Sequence, residues 1–377
     1  MKTIKDLKNL KGKKVLLRVD FNVPIKDAKV EDDFRINKAL PTIQFLQKRG
    51  AKIILICHLG KGGESLLPVA DSLNKLIKIT FIDDLIYDKA EKSVFEMKNG
   101  EVILLQNLRN YAGEKNCDKN FAKKLASLAD VYINDAFSVS HRKDASIVLL
   151  PKLLPAYAGF QLVEEIKNLS NIFKKPKHPF LFILGGAKFS TKMPLIKKYL
   201  KIADYIFIGG ALLNDFLKYS GYEVGNSLVD DTKYGIEKII NNKKFIIPEF
   251  VFVKNTYGEY IEKNIKEILK SDVILDVGQK SIKLLFPIIE KSKMILWNGP
   301  LGKYEVGAGG STKKTLKYIF EQKNKTIVLG GGDLVSCVPQ NVPETRDLLS
   351  NLFISTGGGA TLDFLANGTL PGIKALQ

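Results

Sequence analysis

Short apolar runs alternate with amphipathic stretches along the whole chain. In the first half the runs are KVLLRVDF (14–21), AKIILICHL (51–59), KITFI (78–82), EVILLQNL (101–108) and DVYINDAF (130–137). Between them, INKALPTIQFLQKRG (36–50), SLLPVADSLNKLI (65–77) and KNFAKKLASLAD (119–130) space their apolar residues as helices do. The second half repeats the arrangement with FLFIL (180–184), YIFIG (205–209), KFIIP (244–248), DVILDVG (272–278), MILWNGP (294–300), TIVLGG (326–331) and LFISTGG (352–358). Near-continuous apolar strands are buried on both faces. Alternating with amphipathic helices, they predict an α/β chain built on parallel sheets.

Between the halves lies LLPKLLPAYAGFQLVEEIKNLSNIF (149–173). Pro151 and Pro155 punctuate it. From Ala156 to Leu169 the apolar positions Tyr157, Phe160, Val163, Ile166 and Leu169 predict a connecting helix. A chain of 377 residues is also too long for one compact core, so two domains are expected.

Composition narrows the class. The chain is 45% hydrophobic and 26% charged, and its longest apolar runs fall short of a membrane span. MKTIKDLKNL has no apolar signal core, so a cytoplasmic protein is expected. Cys57, Cys117 and Cys337 are scattered and form no metal or disulfide motif. Lysine plus arginine exceeds aspartate plus glutamate by 58 − 40 = 18. That surplus invites a nucleic-acid reading. The lysines are spread over the whole chain, which instead fits a solvated surface that draws in a small polyanion.

The polar residues of the first half fall where its strands end. Arg18, Asp20 and Asn22 follow the first run, His58 and Lys61 the second, Asn107 and Arg109 a later one. Asp135, His141 and Arg142 follow VYIND, and Arg35 opens a helix. Parallel neighbours would gather these residues on one rim. Arginine's planar fork suits carboxylate and phosphate. Asp20 and Asn22 are either turn formers or acceptors of substrate hydroxyls.

The second half contains neither GxxxxGK[ST] nor GxGxxG, which argues against a Rossmann dehydrogenase. It is nevertheless punctuated by Gly185-Gly186, Gly209-Gly210, Gly330 to Gly332 and Gly357 to Gly359. In GGAKFSTKMPLI, Lys188 and Lys192 lie at the start of a predicted helix, where backbone N–H groups and the helix dipole favour phosphate. The plainer account is a capped helix with solvated lysines. Asp333 after three glycines suits Mg²⁺ held by one carboxylate and phosphate oxygens, or else a helix N-cap. Asn298 belongs to a turn, Glu305 can accept ribose hydroxyls, and Trp297 is expected in the core. One cationic half-site and one built for nucleotide phosphate imply phosphoryl transfer.

RVDFNVP (18–24), DDFRINKALPTI (32–43), HLGK (58–61), INDAFSVSHRKDAS (133–146), GGAKFSTK (185–192), VGNSL (224–228), WNGPLGKYE (297–305), GGGDLV (330–335), ISTGGGATLDFL (354–365) and LPGIKAL (370–376) together resemble the phosphoglycerate kinase family, in its order and from end to end. The resemblance implies reversible phosphoryl transfer between ATP and 3-phosphoglycerate, giving ADP and 1,3-bisphosphoglycerate, in glycolysis and gluconeogenesis. It implies a monomer of two Rossmann-like domains, each a parallel sheet with helices on both faces, that close by a hinge. The expected divisions are 1–155 for phosphoglycerate, 156–172 as interdomain helix, 173–365 for nucleotide, and 366–377 returning to the first domain. By resemblance, Asp20, Asn22, Arg35 and His58 bind phosphoglycerate with Lys61, Arg109 and Arg142. Lys188, Lys192, Gly210 and Asn298 meet the nucleotide with Glu305 and the Gly331–Leu334 loop (Gly331, Gly332, Asp333, Leu334), and Asp333 holds Mg²⁺. Arg35, Lys192, Gly332 and Gly358 flank the moving phosphoryl group.

Several positions depart from the family pattern as the resemblance gives it. Lys61 replaces arginine, Gln106 and Asn110 replace an acid and an aromatic, and Ser138 replaces glycine. Asp144 replaces a histidine, Leu334 replaces a hydroxyl residue, and the loop after Glu305 is short and glycine-rich. An active enzyme with altered kinetics is expected. The alternative is an impaired or non-catalytic homologue that binds nucleic acid through its basic surface.

Overall fold

The computed structural model describes residues 1–187, 189–230, 235–303, 310–338 and 352–377. They form two compact units. Met1–Lys167 with Asn367–Gln377 make the first, and Asn168–Ala366 the second.

The first unit is built on six parallel strands. Their order is Thr80–Ile82, Val102–Leu105, Lys52–Ile56, Lys14–Arg18, Val131–Asn134 and Ala156–Ala158. Arg18 is paired with both Ile56 and Asn134, so three carboxyl ends reach one rim together. Val15, Leu17, Ile53, Leu55 and Ile133 pack with Ile36, Ile43 and Leu46 of the helix Phe34–Lys48. Each such side chain contributes about 1.5–3 kcal/mol on burial. The short C-terminal helix Pro371–Lys374 packs in this unit, where the Gly372 amide donates to the Ser140 carbonyl at 2.8 Å.

The helix expected from Ala156 needs correction. Ala156–Ala158 is an edge strand, and the helix runs Phe160–Lys174. Backbone pairing on both sides outweighs the helical spacing of Tyr157. Tyr132 N donates to Pro155 O at 3.0 Å, and Ala158 N donates to Lys2 O at 2.9 Å. The helix then starts abruptly. Its Leu162 amide donates to the Asp135 carboxylate at 3.0 Å, and the Phe160 amide to Thr42 Oγ1 at 3.1 Å.

The second unit holds another six-stranded parallel sheet. Its order is Phe245–Ile246, Tyr205–Ile208, Phe180–Leu184, Met294–Asn298, Thr326–Gly330 and Leu352–Ile354. The run DVILDVG does not join it. Val273–Val277 instead flanks Phe250–Lys254 in an antiparallel sheet with Tyr260–Asn264 on the other side. Phe250–Lys254 alternates, with Val251 and Val253 buried, as a strand with one wet face does. Asn255 closes the hairpin by accepting the Tyr257 and Glu259 amides at 3.0 and 2.9 Å. No helix among the described residues is long and apolar enough to cross a membrane.

All six strands of this sheet end at one rim, and four of them run directly into glycine or end on it. Gly210 shows why. Its φ is +62° and ψ −161°, a region essentially confined to glycine, and a Cβ there would stand 2.4 Å from Gly186 N. Gly210→Ala is therefore expected to lower the unfolding free energy of this unit by about 2 kcal/mol or more. A denaturant titration followed by Trp297 fluorescence reads it, and an unshifted transition contradicts it.

Candidate active site

At the first rim, burial decides what each cation does. Arg18 is wholly buried. It donates to Ser146 Oγ at 3.0 Å, to the Val19 carbonyl at 2.6 Å and to His58 Nδ1 at 3.3 Å. Ser146 in turn donates to Glu114 through its amide and its hydroxyl, at 2.9 and 2.6 Å. Arg18 is thus a strut and offers no free fork to a ligand.

The strut fixes its neighbour. A guanidinium only donates, so His58 Nδ1 must accept and the ring proton sits on Nε2. Nε2 is buried and has no partner among the described residues. Burial pushes the His58 pKa down from 6.5 to about 2, helped by the charges of Arg18, Arg142, Arg35 and Lys115. His58 is a neutral donor at every physiological pH. Its neighbour Cys57 is buried completely, and burial pushes that thiol up to about 12.

Asp20 and Arg35 form the adjoining pair. Arg35 Nη1 lies 3.0 Å from Asp20 Oδ2 and donates to the Asn22 carbonyl at 2.9 Å. Asp20 Oδ1 accepts the Asn22 amide at 3.1 Å, and the Ser138 hydroxyl donates to Oδ2. Asn22 Oδ1 accepts the Gly60 amide at 2.9 Å and so ties this pair to the next loop.

That loop is held from several sides. Arg109 Nη1 donates to Gly60 O at 2.5 Å, while its Nε is buried without a partner among the described residues. Glu64 accepts the Lys61 and Gly62 amides at 3.1 and 2.8 Å, and Asn110 accepts the Gly63 amide at 2.7 Å. Gln106 accepts the Leu66 and Asn107 amides at 3.0 and 2.9 Å. Gln106 and Asn110 therefore both support the loop. The Lys61 side chain is exposed, Arg142 is half-buried near His58, and His141 Nδ1 is a further buried nitrogen without a partner.

Asp135 belongs to the helix start described above. Burial raises its pKa to about 6 against the bonds from Thr42, Leu162 and Gln161. Asp144 stands at the N-terminus of the short helix Ala145–Val148.

The second rim is a floor of glycine around one ammonium group. Lys192, on the helix Phe189–Tyr199, is 5% exposed and donates to the Gly185 carbonyl. A Cβ on Gly186 or Gly299 would come within 2.7 or 2.9 Å of its Nζ. Burial lowers its pKa from 10.5 to about 8, and the Asp333 charge opposes that shift. Trp297 is core, as expected, and its indole N–H donates to Gly299 O at 2.8 Å.

Asn298 is 2% exposed, and its Nδ2 has no partner among the described residues. It lies against the Gly330-Gly331 turn, 3.4 Å from where a Cβ of either glycine would be. Asp333 is exposed on the short helix Gly332–Val335, whereas the Leu334 side chain is wholly buried. The Gly357–Gly359 turn lies beside Gly332, with a Gly358 Cβ 3.9 Å from Gly332 N. Lys188 and Glu305 lie outside the described residues.

Sequence reasoning did not find the Glu114–Ser146 support of Arg18 or the Glu64 brace. Glu114 and Ser146 carry no local motif, but Glu64 three residues after Lys61 is a readable turn signal.

A cationic rim on one doubly wound sheet and a glycine floor around a buried lysine on another fit an α/β phosphotransferase. Known proteins agree. The family model described as phosphoglycerate kinase matches residues 4–368. The chain is 43% identical to the phosphoglycerate kinase of Wolbachia sp. subsp. Drosophila simulans, over 98% of this chain and 97% of that one. It is 41% identical to that of Dictyoglomus turgidum, over 100% and 99%. The solved phosphoglycerate kinase of Pyrococcus horikoshii OT3 superposes with a TM-score of 0.85 at 30% identity, covering 100% of this chain and 98% of that one. For the structure from Coxiella burnetii the values are 0.81 and 31%, with 99% and 98% covered. The chain belongs to the phosphoglycerate kinase family. It is a nucleotide-dependent phosphotransferase of glycolysis.

The histidine assignment is directly measurable. In ¹⁵N NMR spectra His58 should hold its proton on Nε2 and show no titration between pH 4 and 8. A midpoint near pH 6.5 would contradict the strut. Because unfolded histidine takes up a proton below about 6.5 and folded His58 does not, its contribution to stability falls as pH drops through that value.

Proposed function

We propose that the first unit holds 3-phosphoglycerate and the second holds ATP or ADP, for reversible phosphoryl transfer to and from the glycerate carboxylate. The observation that carries this reading is the pair of buried donors without acceptors, His58 Nε2 and Arg109 Nε, set among cations. Such a rim is incomplete without an anionic ligand rich in oxygen. Arg35, Arg142 and Lys61 add positive charge, and Asp20 and Asn22 meet the hydroxyl. With Lys61 the outer contact is a point charge where arginine would give a fork, which weakens the grip on phosphate.

On the second unit Lys192 and Lys188 hold nucleotide phosphates, and Glu305 takes the ribose. Gly210, Asn298 and the backbone of Gly331, Gly332 and Leu334 line the nucleotide. Arg35, Lys192, Gly332 and Gly358 take the charge of the moving phosphoryl group. Asp333 fits Mg²⁺. An exposed carboxylate beside a glycine turn supplies the one protein ligand that this ion needs when phosphates provide others, and among the described residues no larger acidic or histidine cluster competes for the ion. Bound there, Mg²⁺ would neutralise phosphate charge. We further infer a monomer in the cytoplasm, which gel filtration and cell fractionation test.

A coupled assay with Mg-ATP and 3-phosphoglycerate should show acyl phosphate formation, abolished by EDTA. Arg35→Ala and Lys192→Ala should each lose about 10²-fold or more in kcat. Unchanged rates would remove those roles.

Lys192 also predicts proton linkage. Free Lys192 loses its proton near pH 8, whereas a bound phosphate restores the charge. At pH 8.5, nucleotide binding should take up a proton, read by calorimetry in buffers of different ionisation enthalpy. Lys192→Met should abolish the uptake. Between about pH 8 and 10.5 the unfolded lysine holds more proton than the folded one, so this residue's contribution to stability rises with pH there.

A further inference from the structure

The Asp20 carboxylate is bound to both Arg35 and Asn22, and its acceptor capacity is nearly spent. Ionised, it has about four lone-pair sites. Oδ2 accepts the Ser138 hydroxyl and is ion-paired with Arg35, whose Nη1 lies 3.0 Å away. Oδ1 takes one, the Asn22 amide at 3.1 Å. One acceptor site remains, on Oδ1. Asp20 and Ser138 are 7% and 8% exposed, so water competes little for these bonds.

Ser138 sits in the single turn Phe137–Val139 that follows the strand Val131–Asn134, so it approaches Asp20 from a different element than Arg35 or Asn22 does. The family resemblance implies glycine at this position, which could not make the bond. Without the hydroxyl, Oδ2 would keep a free lone pair, and the carboxylate could turn either oxygen to a ligand.

We propose that Ser138 is a positioning residue for substrate recognition. By filling Oδ2 it leaves Asp20 a single aimed acceptor, and so makes the site select a ligand that carries a hydroxyl there. This rests on the reading of the first rim as the phosphoglycerate site. In 3-phosphoglycerate the 2-hydroxyl is the only group that donates at neutral pH. The carboxylate and phosphate go to cations.

The test compares 3-phosphoglycerate with its 2-deoxy analogue, 3-phosphooxypropanoate, used as a competitive inhibitor. Ser138→Ala should raise KM for 3-phosphoglycerate about tenfold or more, as expected for a lost bond to a charged group. The Ki of the analogue should stay unchanged, because it has no hydroxyl to place. KM for ATP and the thermal transition should also hold, and Ser138→Thr should restore most of the discrimination. If both constants move together, or if kcat and KM for ATP fall with them, Ser138 serves the fold and not recognition. If neither constant moves, the inference is likewise overturned. Arg35→Ala is the control. Should it leave KM for 3-phosphoglycerate untouched, the placement of the whole site fails. Should it weaken binding while Ser138→Ala does not, only the role of Ser138 falls.

Discussion

A positive charge taken out of water must be surrounded by acceptors, and each unit of this chain is arranged around one such charge. Removing the partners of a buried ion typically costs about 3–5 kcal/mol, so the surroundings are not free to drift. In the first unit the ion is the Arg18 guanidinium at the end of a central strand. Its bonds draw Ser146, the Val19 carbonyl and His58 into fixed places. In the second unit the ion is the Lys192 ammonium, held against the Gly185 carbonyl with room left by Gly186 and Gly299. The two solutions differ in kind. Arginine spends its fork inside the protein and hands on an oriented histidine. Lysine makes one named contact, which leaves donors for a phosphate.

Around these ions the two rims attract anions by different means. The first rim is made by side chains, because its strands end in polar residues with long reach. The second is made by backbone, because its strands end in glycine. Anionic ligands bind either way, but a rim of side chains distinguishes hydroxyl from carboxylate, whereas a backbone floor mainly measures shape.

Much of this was legible in sequence. The twelve apolar runs named there all become strands, since strands buried on both faces leave an uninterrupted apolar trace. Which sheet a run joins was less legible. DVILDVG looks like its parallel neighbours, yet the alternating partner FVFVK claims it for an antiparallel sheet. Ala156–Ala158 was hidden because three residues carry no period, and its partners Lys2 and Tyr132 are distant in sequence. At the site, the sequence showed which polar residues follow the strands but not the orientation of each group. Arg18 reads like the other arginines until burial shows it turned inward. Leu334 reads as part of a ligand loop, yet its side chain faces the core. Orientation depends on contacts between distant segments, which spacing does not encode.

The burial of Cys57 has a chemical consequence for the life of the enzyme. Oxidants and electrophiles attack thiolates, and a thiol held near 12 and sealed from solvent offers almost none. The residue next to His58 is thus shielded from sulfenic acid formation and from alkylation. Burial supplies this protection against the Arg18 charge, which by itself favours the thiolate. The rim should keep its geometry through oxidative stress, when more exposed thiols elsewhere in a cell are being consumed.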